Sequence, residues 1–245
     1  MHHMAIVATR IFGGVALVLG VSLPLVVRAQ VGPGICGPIS VAGQYGPWDY
    51  RVHKDKLPVV ETNHFTTQVE ALIRGITTHK LAPDLDYTLQ KVPNHHRALV
   101  SVMRFGERKG AGGDAMSLPI ECYFERALRW RSDDVIVRML YSQFLTKAKR
   151  QPEAIKQLEI ATELAKDSAM THQNVGLVYL EMKEYDRALA SAHLALSYNP
   201  NVVRLVDALK QAGKWVEPPP PAASAAQTTA SASASAAASA PAKPE

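Results

Sequence analysis

The sequence predicts an all-α fold in which helix–turn–helix pairs stack side by side. Small or compact residues recur every 34 positions, which is a period typical of such arrays. The matched sets are Ala154 and Ala188; Ala127, Ala161 and Ala195; and Phe124, Leu158 and Ala192. Ala188, Ala192 and Ala195 also follow helical spacing, so they would share one face where two helices approach closely. Arrays of this kind provide binding surfaces.

Residues 1–29 have the composition of a secretory signal peptide. An apolar run extends from Ile11 to Val27, and no acidic residue precedes Asp49. Val27 and Ala29 would occupy the −3 and −1 positions of a cleavage site. We therefore expect an exported, periplasmic protein. The alternative is an uncleaved segment that associates with the membrane, so that the chain is anchored in the inner membrane and faces the periplasm.

Residues 30–61 are predicted to form an irregular strap. The segment GQYGPWDYR places Tyr45, Trp48 and Tyr50 close together between Gly and Pro residues, with too little periodicity for a helix. We interpret these aromatic side chains as packing on the helical array. An aromatic docking patch is the alternative.

Cys36 in the strap and Cys122 on a predicted helix are the two cysteines of the chain. In an oxidising compartment they could form a disulfide. The closed loop would be long, so the disulfide would stabilise the fold by up to about 4 kcal/mol. A buried free thiol at Cys122 is the competing interpretation.

Residues 62–133 are predicted to contain degenerate helical pairs. TTQVEALIRGI and DLDYTLQKVP give one pair, in which Asp84 and Asp86 suit the cap and first turn of the second helix. NHHRALVSVMRFGE and LPIECYFERALRW give the next pair, with RKGAGGDAMS as an insertion between them. Asn94 is the expected N-cap of this pair's first helix, with His95 and His96 in its first turn.

Residues 134–216 are predicted to hold two clear repeats and a capping helix. The second repeat reads THQNVGLVYLEM and YDRALASAHLALSY, and Pro200 ends it. The amphipathic segment VVRLVDALKQAG, ended by Gly213, would cover the last apolar face. Residues 217–245, PPPP followed by an Ala/Ser-rich tract, cannot bury enough apolar surface to fold and are predicted to be a disordered tail.

The second repeat resembles the tetratricopeptide repeat (TPR) family. Gly176, Tyr179, Ala188, Ala195 and Pro200 match the consensus residues of that family, whereas His172 stands where Trp is usual. The preceding copy is weaker, because it keeps Ala154 and Ala161 but has Ser142, Leu145 and Lys166 at consensus positions. The resemblance implies an array of about three repeats plus a capping helix, with a concave surface that binds protein segments.

By the same resemblance, the first helix of each pair would line the concave groove. The expected protein-binding residues are Met139, Gln143, Lys147, Gln173, Leu177 and Leu180, with Ile136, Thr146, Met170 and Glu181 in the same register. The set is partly apolar and partly polar, and Met adapts to irregular ligands. An extended or helical segment of another envelope protein would suit it.

Composition and motifs favour a non-enzymatic adaptor or scaffold. The net charge of +5 comes without a dense basic stripe, so we expect no nucleic-acid partner. We also expect no cofactor, no catalytic site and no metal site, because the spacings of His53, His64, His79, His95 and His96 match no ligand motif. The alternative function is a His-rich protein that handles a metal or cofactor on the repeat scaffold. A weaker one is an enzyme with its site in the irregular N-terminal half.

Overall fold

The computed structural model describes residues 36–39, 45–76, 78–108 and 113–218. Within these ranges the chain forms ten helices and no strand, so the all-α prediction is confirmed for this part of the chain. In order they are α1 (Leu57–His64), α2 (Thr67–Glu70), α3 (Ala82–Lys91), α4 (His96–Gly106), α5 (Ile120–Trp130), α6 (Val135–Lys147), α7 (Gln151–Ala165), α8 (Ala169–Glu181), α9 (Tyr185–Tyr198) and α10 (Arg204–Gln211).

The predicted signal peptide, residues 1–29, and nearly all of the predicted tail lie outside the described residues. Among the helices of the described ranges, none has the length and apolar character needed to cross a membrane.

Helices α6 and α7 form one hairpin and α8 and α9 form another, at the positions that the 34-residue pattern predicts. Both hairpins begin with the same capping interaction. The side chains of Asp134 and Ser168 accept hydrogen bonds at 3.3 Å from the N–H groups of Val137 and Thr171. A cap of this kind satisfies an N–H group that has no partner within the helix.

The turn inside each hairpin is also repeated. Lys149 and Lys183 follow α6 and α8, and their backbones are left-handed, with φ of 60° and 63°. The next residues, Arg150 and Glu184, each donate an N–H to the carbonyl five positions earlier, at 2.9 Å. This bond is characteristic of a Schellman turn, which ends a helix and reverses the chain.

Small residues bring the helices together. Ala154, Ala161, Ala188 and Ala195 are all buried. At Gly176 on α8, an added Cβ would lie 2.2 Å from Cδ2 of Leu205 and 2.9 Å from Cβ of Ser191. The space beside Gly176 is therefore filled by α9 and α10, and a larger side chain would force them apart.

Helix α10 lies against the second hairpin. It packs against α8 and α9 through the buried side chains of Leu205, Val206 and Leu209. Its other face is polar and exposed, with Arg204, Asp207, Lys210 and Gln211. An amphipathic terminal helix of this kind protects the last apolar surface from water.

The first predicted pair is only partly helical. The segment TTQVEALIRGI forms just the four-residue helix α2, because Leu72 takes a left-handed backbone with φ of 58° and Ile73 bonds back to the carbonyl of Gln68. At Gly75, an added Cβ would lie 1.8 Å from the carbonyl oxygen of Lys80, so the chain passes too close to itself for a side chain. A long first helix at this position is therefore a wrong prediction.

Helix starts in this region also differ from expectation. The N-cap of α4 is His95 and not Asn94, since Nδ1 of His95 accepts the N–H of Ala98 at 3.2 Å. Asp84 lies in the first turn of α3 as expected, but the carboxylate at the start of α3 comes from Asp114, which accepts the N–H groups of Leu81 and Ala82. The 108–117 insertion thus supplies a capping group that local sequence does not reveal.

The strap is shorter than predicted and packs on the helices. Residues 57–61 are already part of α1, where Pro58 stands in the first turn and needs no N–H acceptor. Trp48 and Tyr50 pack against Leu57, Val60 and Val92. At the other end of the described strap, Cys36 forms a disulfide with Cys122 of α5, which is 86 positions further along the chain.

Candidate functional site

A cleft lies where the C-terminal halves of α4, α6 and α8 meet. Its cavity is about 280 Å³ and is lined by Met103 of α4, by residues of α6 and by residues of α8. The lining residues from α6 and α8 are Gln143, Thr146, Lys147, Val178, Glu181 and Met182. A neighbouring cavity of about 210 Å³ shares Met103 and Lys147 and extends toward Ile120 and Phe144. We call the two together the cleft.

The cleft has an apolar floor and a polar rim. Met103, Val178 and Met182 form the floor, and each is only 7% exposed. On the rim, Nζ of Lys147 lies 2.5 Å from a carboxylate oxygen of Glu107, and the amide of Gln143 donates to Glu181 at 3.3 Å. Glu107 neutralises Lys147, whereas Glu181 has no cationic partner among the described residues. The C-terminal ends of three helices add partial negative charge.

Two of the six predicted binding residues lie in the cleft, namely Gln143 and Lys147. Met139 and Gln173 are buried, and the side-chain oxygen of Gln173 accepts the N–H of Leu205 at 3.4 Å, which attaches α10. Leu177 and Leu180 are half-buried and pack against the main core. Of the other residues in that register, Thr146 and Glu181 line the cleft, whereas Ile136 and Met170 are exposed elsewhere.

Sequence reasoning missed the floor of the cleft. Met103 belongs to α4, whose register relative to the clear repeats is obscured by the 108–117 insertion. Val178 and Met182 each lie one residue beyond a predicted groove position, so a small rotation of α8 decides which side chains face the cleft. Periodicity identifies the helices that form a groove, but a helix face is too broad to identify each contact.

A buried polar network connects the strap to α4 and α6. The side chain of Asn94 is fully buried and donates to Asp49 and Asp134 at 2.8 Å each, while its oxygen accepts the N–H of Tyr50 at 3.0 Å. Arg51 and Arg131 bind the carboxylate of Asp49 at 2.9 and 2.7 Å. These groups satisfy one another, so the network holds the strap against α4 and α6.

The network keeps its carboxylates ionised. Burial opposes the charge of Asp49, but hydrogen bonds from Arg51, Asn94 and Arg131 outweigh that cost and hold its pKa far below the usual range. The pKa of Asp134 is also lowered, because His96 and Asn94 outweigh its burial. Sequence patterns do not indicate this network, since its members come from three distant segments, 49–51, 94–96 and 131–134.

The described histidines of the N-terminal half are bound to protein groups, apart from the exposed His79. The pairs are His53 with the N–H of Asp49, His64 with Asp84, His95 with Glu61 and His96 with Asp134. In the ranges that the structure describes, no three His, Cys, Asp or Glu side chains are grouped so that they could hold a metal ion.

The described cleft residues include one hydroxyl, that of Thr146, which donates to the carbonyl of Ser142 at 2.8 Å. What the cleft offers is therefore apolar surface with polar groups around it, a combination suited to binding. No protein-family model, curated protein or solved structure matches this chain. Its function has to be inferred from its own geometry and chemistry.

Proposed function

We propose that this protein is an exported, non-enzymatic adaptor of the TPR-like type that binds a segment of a protein partner in a cell-envelope assembly. The repeated local chemistry supports the repeat assignment. Caps at Asp134 and Ser168 and left-handed turns at Lys149 and Lys183 recur at the same interval as the alanines. Recurrence of caps, turns and contacts at one period is the signature of a stacked array.

The cleft is the observation that carries the proposal. It lies between the first helices of successive pairs, which is the side of such an array that binds peptides. An apolar floor with a rim of amide and charged groups suits a helical or extended segment that inserts an apolar side chain and aligns polar groups around it. Two methionines in the floor would let it adapt to the inserted side chain.

The disulfide supports export. Cys36 and Cys122 are bonded to each other, and disulfides persist mainly in oxidising compartments. An apolar segment at residues 11–27 with a small residue at position 29 supports the same proposal.

The test is site-specific crosslinking in living cells. A photoreactive amino acid replaces Gln143 in the cleft or Lys156 on the exposed face of α7 in the full chain. We expect a defined protein to crosslink from position 143 and not from position 156. The affinity of the purified pair is then measured by titration.

A matched pair of variants completes the test. Gln143→Arg places a longer, charged side chain over the apolar floor and should weaken binding at least tenfold, about 1.4 kcal/mol. Gln211→Arg makes the same substitution on the exposed face of α10 and should leave the affinity unchanged. Equal crosslinking from both positions, or full affinity in Gln143→Arg, would rule out the cleft as the binding site.

A further inference from the structure

Another cavity, which shares no lining residue with the cleft, lies between the start of the described strap and helices α3 and α5. It is about 260 Å³ and is bounded on one side by residues 36–39. The other side is formed by Gln90, Ser117, Leu118 and Arg126. The disulfide between Cys36 and Cys122 links the strap covalently to α5 beside this cavity. The two sides of the cavity are therefore held together by a covalent bond.

Arg126 lacks the partners that a half-buried guanidinium needs. Its Nη2 donates to the carbonyl of Ile39 at 3.3 Å, and its Nε is buried without any acceptor. No carboxylate of the described residues forms an ion pair with it. A guanidinium offers five N–H donors in a planar arrangement, and buried donors without acceptors are unfavourable.

The charges around Arg126 do not offset the cost of burying its guanidinium. Burial lowers the pKa of Arg126 and the positive charge of Arg129 on the same helix lowers it further, and together they outweigh the opposing effects of Tyr123 and Asp86. Asp86 already accepts hydrogen bonds from the hydroxyl of Tyr123 and from the N–H of Ser117. The cavity is therefore positive, with no carboxylate among its lining residues.

Two further polar side chains face the same space. Gln90 is half-buried and its amide makes no hydrogen bond with another described residue, while the hydroxyl of Ser117 has a single contact, with Tyr123 at 3.4 Å. A guanidinium, an amide and a hydroxyl around one cavity can all donate to the same group. An oxyanion matches this set, because two of its oxygens can accept parallel hydrogen bonds from arginine.

We propose that this cavity binds a small oxyanion, either a carboxylate or a phosphate group, through Arg126 with help from Gln90 and Ser117. The anion would supply the negative charge and the acceptors that Arg126 lacks. The site is separate from the cleft, so it does not depend on partner binding there.

The test uses the purified full chain with its disulfide intact. Sodium phosphate and sodium acetate are titrated at constant ionic strength, with sodium chloride as the reference, and the Nε–H resonance of Arg126 is followed by NMR. We expect a saturable shift of this resonance with at least one of the two anions. If only phosphate shifts the resonance, the site binds phosphate groups. If only acetate shifts it, the site binds carboxylates. If both anions shift it, the site accepts oxyanions of either kind.

Two variants distinguish anion binding in this cavity from a general effect of salt on the charged surface. Arg126→Gln should lower the affinity for the anion at least tenfold, measured by calorimetry. Arg187→Gln, which removes an exposed arginine on α9, should change it less than twofold. If Arg126→Gln does not fold, the shift of the Arg126 resonance in the unmodified protein decides whether the anion binds at this site. Binding of neither anion, or equal affinity in Arg126→Gln, would overturn the proposal.

Discussion

His95 is fully buried at the start of α4 and has a structural role that depends on its being neutral. Its Nδ1 accepts the N–H of Ala98 at 3.2 Å, so the proton of the neutral ring is on Nε2, which lies 3.0 Å from Glu61. Its pKa is lowered from 6.5 to about 3, mainly by burial, with further contributions from the nearby charges of Arg97, His96 and Lys54.

This shift predicts a loss of stability in mild acid. The unfolded chain binds a proton near pH 6.5 whereas the folded chain does not until about pH 3, so stability is fully present above pH 6.5 and falls as pH drops through that window. We expect His95 alone to remove roughly 2–3 kcal/mol between about pH 6.5 and pH 4.5. Urea unfolding at a series of pH values measures this loss.

Two variants isolate the contribution of His95. His95→Asn keeps an N-capping side chain but cannot take up a proton, so its stability should fall less steeply with pH than that of the parent protein. His193→Asn removes a histidine on α9 that bonds to the carbonyl of Val216 and should leave the steep slope in place. Parallel pH profiles for the parent protein and His95→Asn would disprove this account.

At the scale of elements, the turns after α6 and α8 use lysine where glycine is the usual residue. Lys149 and Lys183 both adopt a left-handed backbone. This conformation costs a residue with a Cβ roughly 1–2 kcal/mol, whereas glycine adopts it freely. The turns therefore form because the two helices of each hairpin pack together, and not because of the local preference of lysine.

We expect Lys149→Gly and Lys183→Gly each to raise the free energy of unfolding by roughly 0.5–1 kcal/mol. The gain is less than the full backbone cost, because glycine loses more entropy on folding and the lysine charge favours a helix C-terminus. Lys156→Gly, in the middle of α7, should instead lower the free energy of unfolding by about 1 kcal/mol. Chemical denaturation of the three variants measures the differences, and destabilisation by both turn variants would contradict the assignment.

The elements differ in how far sequence could predict them. Helices α6 to α10 follow from periodicity, because each buries a face of small and apolar residues. Pro200 and Gly213 mark the ends of α9 and α10, whereas α6 and α8 end at lysines that give no such signal. The region 66–76 could not be predicted, because a left-handed Leu72 ends α2 within a sequence that has good helix-forming residues. In the cleft, Gln143 and Lys147 were predictable from the repeat register, whereas Met103 was not.

At the scale of the whole molecule, the strap is held at two places that are distant in sequence. Cys36 is bonded to Cys122 of α5, and Asp49 is held by the buried network with Asn94 and Arg131. Both attachments close long stretches of chain. The irregular N-terminal part thus becomes an integral part of the helical array.

Breaking the disulfide should therefore lower stability substantially. Because the cysteines are 86 positions apart, the loop-closure model gives about 4 kcal/mol for the constraint on the unfolded chain. We expect Cys36→Ala/Cys122→Ala, or reductant added to the parent protein, to lower the free energy of unfolding by about this amount, as measured by urea unfolding. Reductant should not affect the double variant, and an unchanged stability after reduction would contradict the prediction.

The sequence by itself determined the helical class, the 34-residue interval and the order of the helices from α6 onward, because these depend on contacts between residues close together in the chain. The tertiary structure alone decided that Cys36 and Cys122 form a disulfide, which acids surround Asn94, and which side chains form the floor of the cleft. These features join groups tens of residues apart. Their energies depend on burial and on exact distances, and neither is encoded in any local pattern of residues.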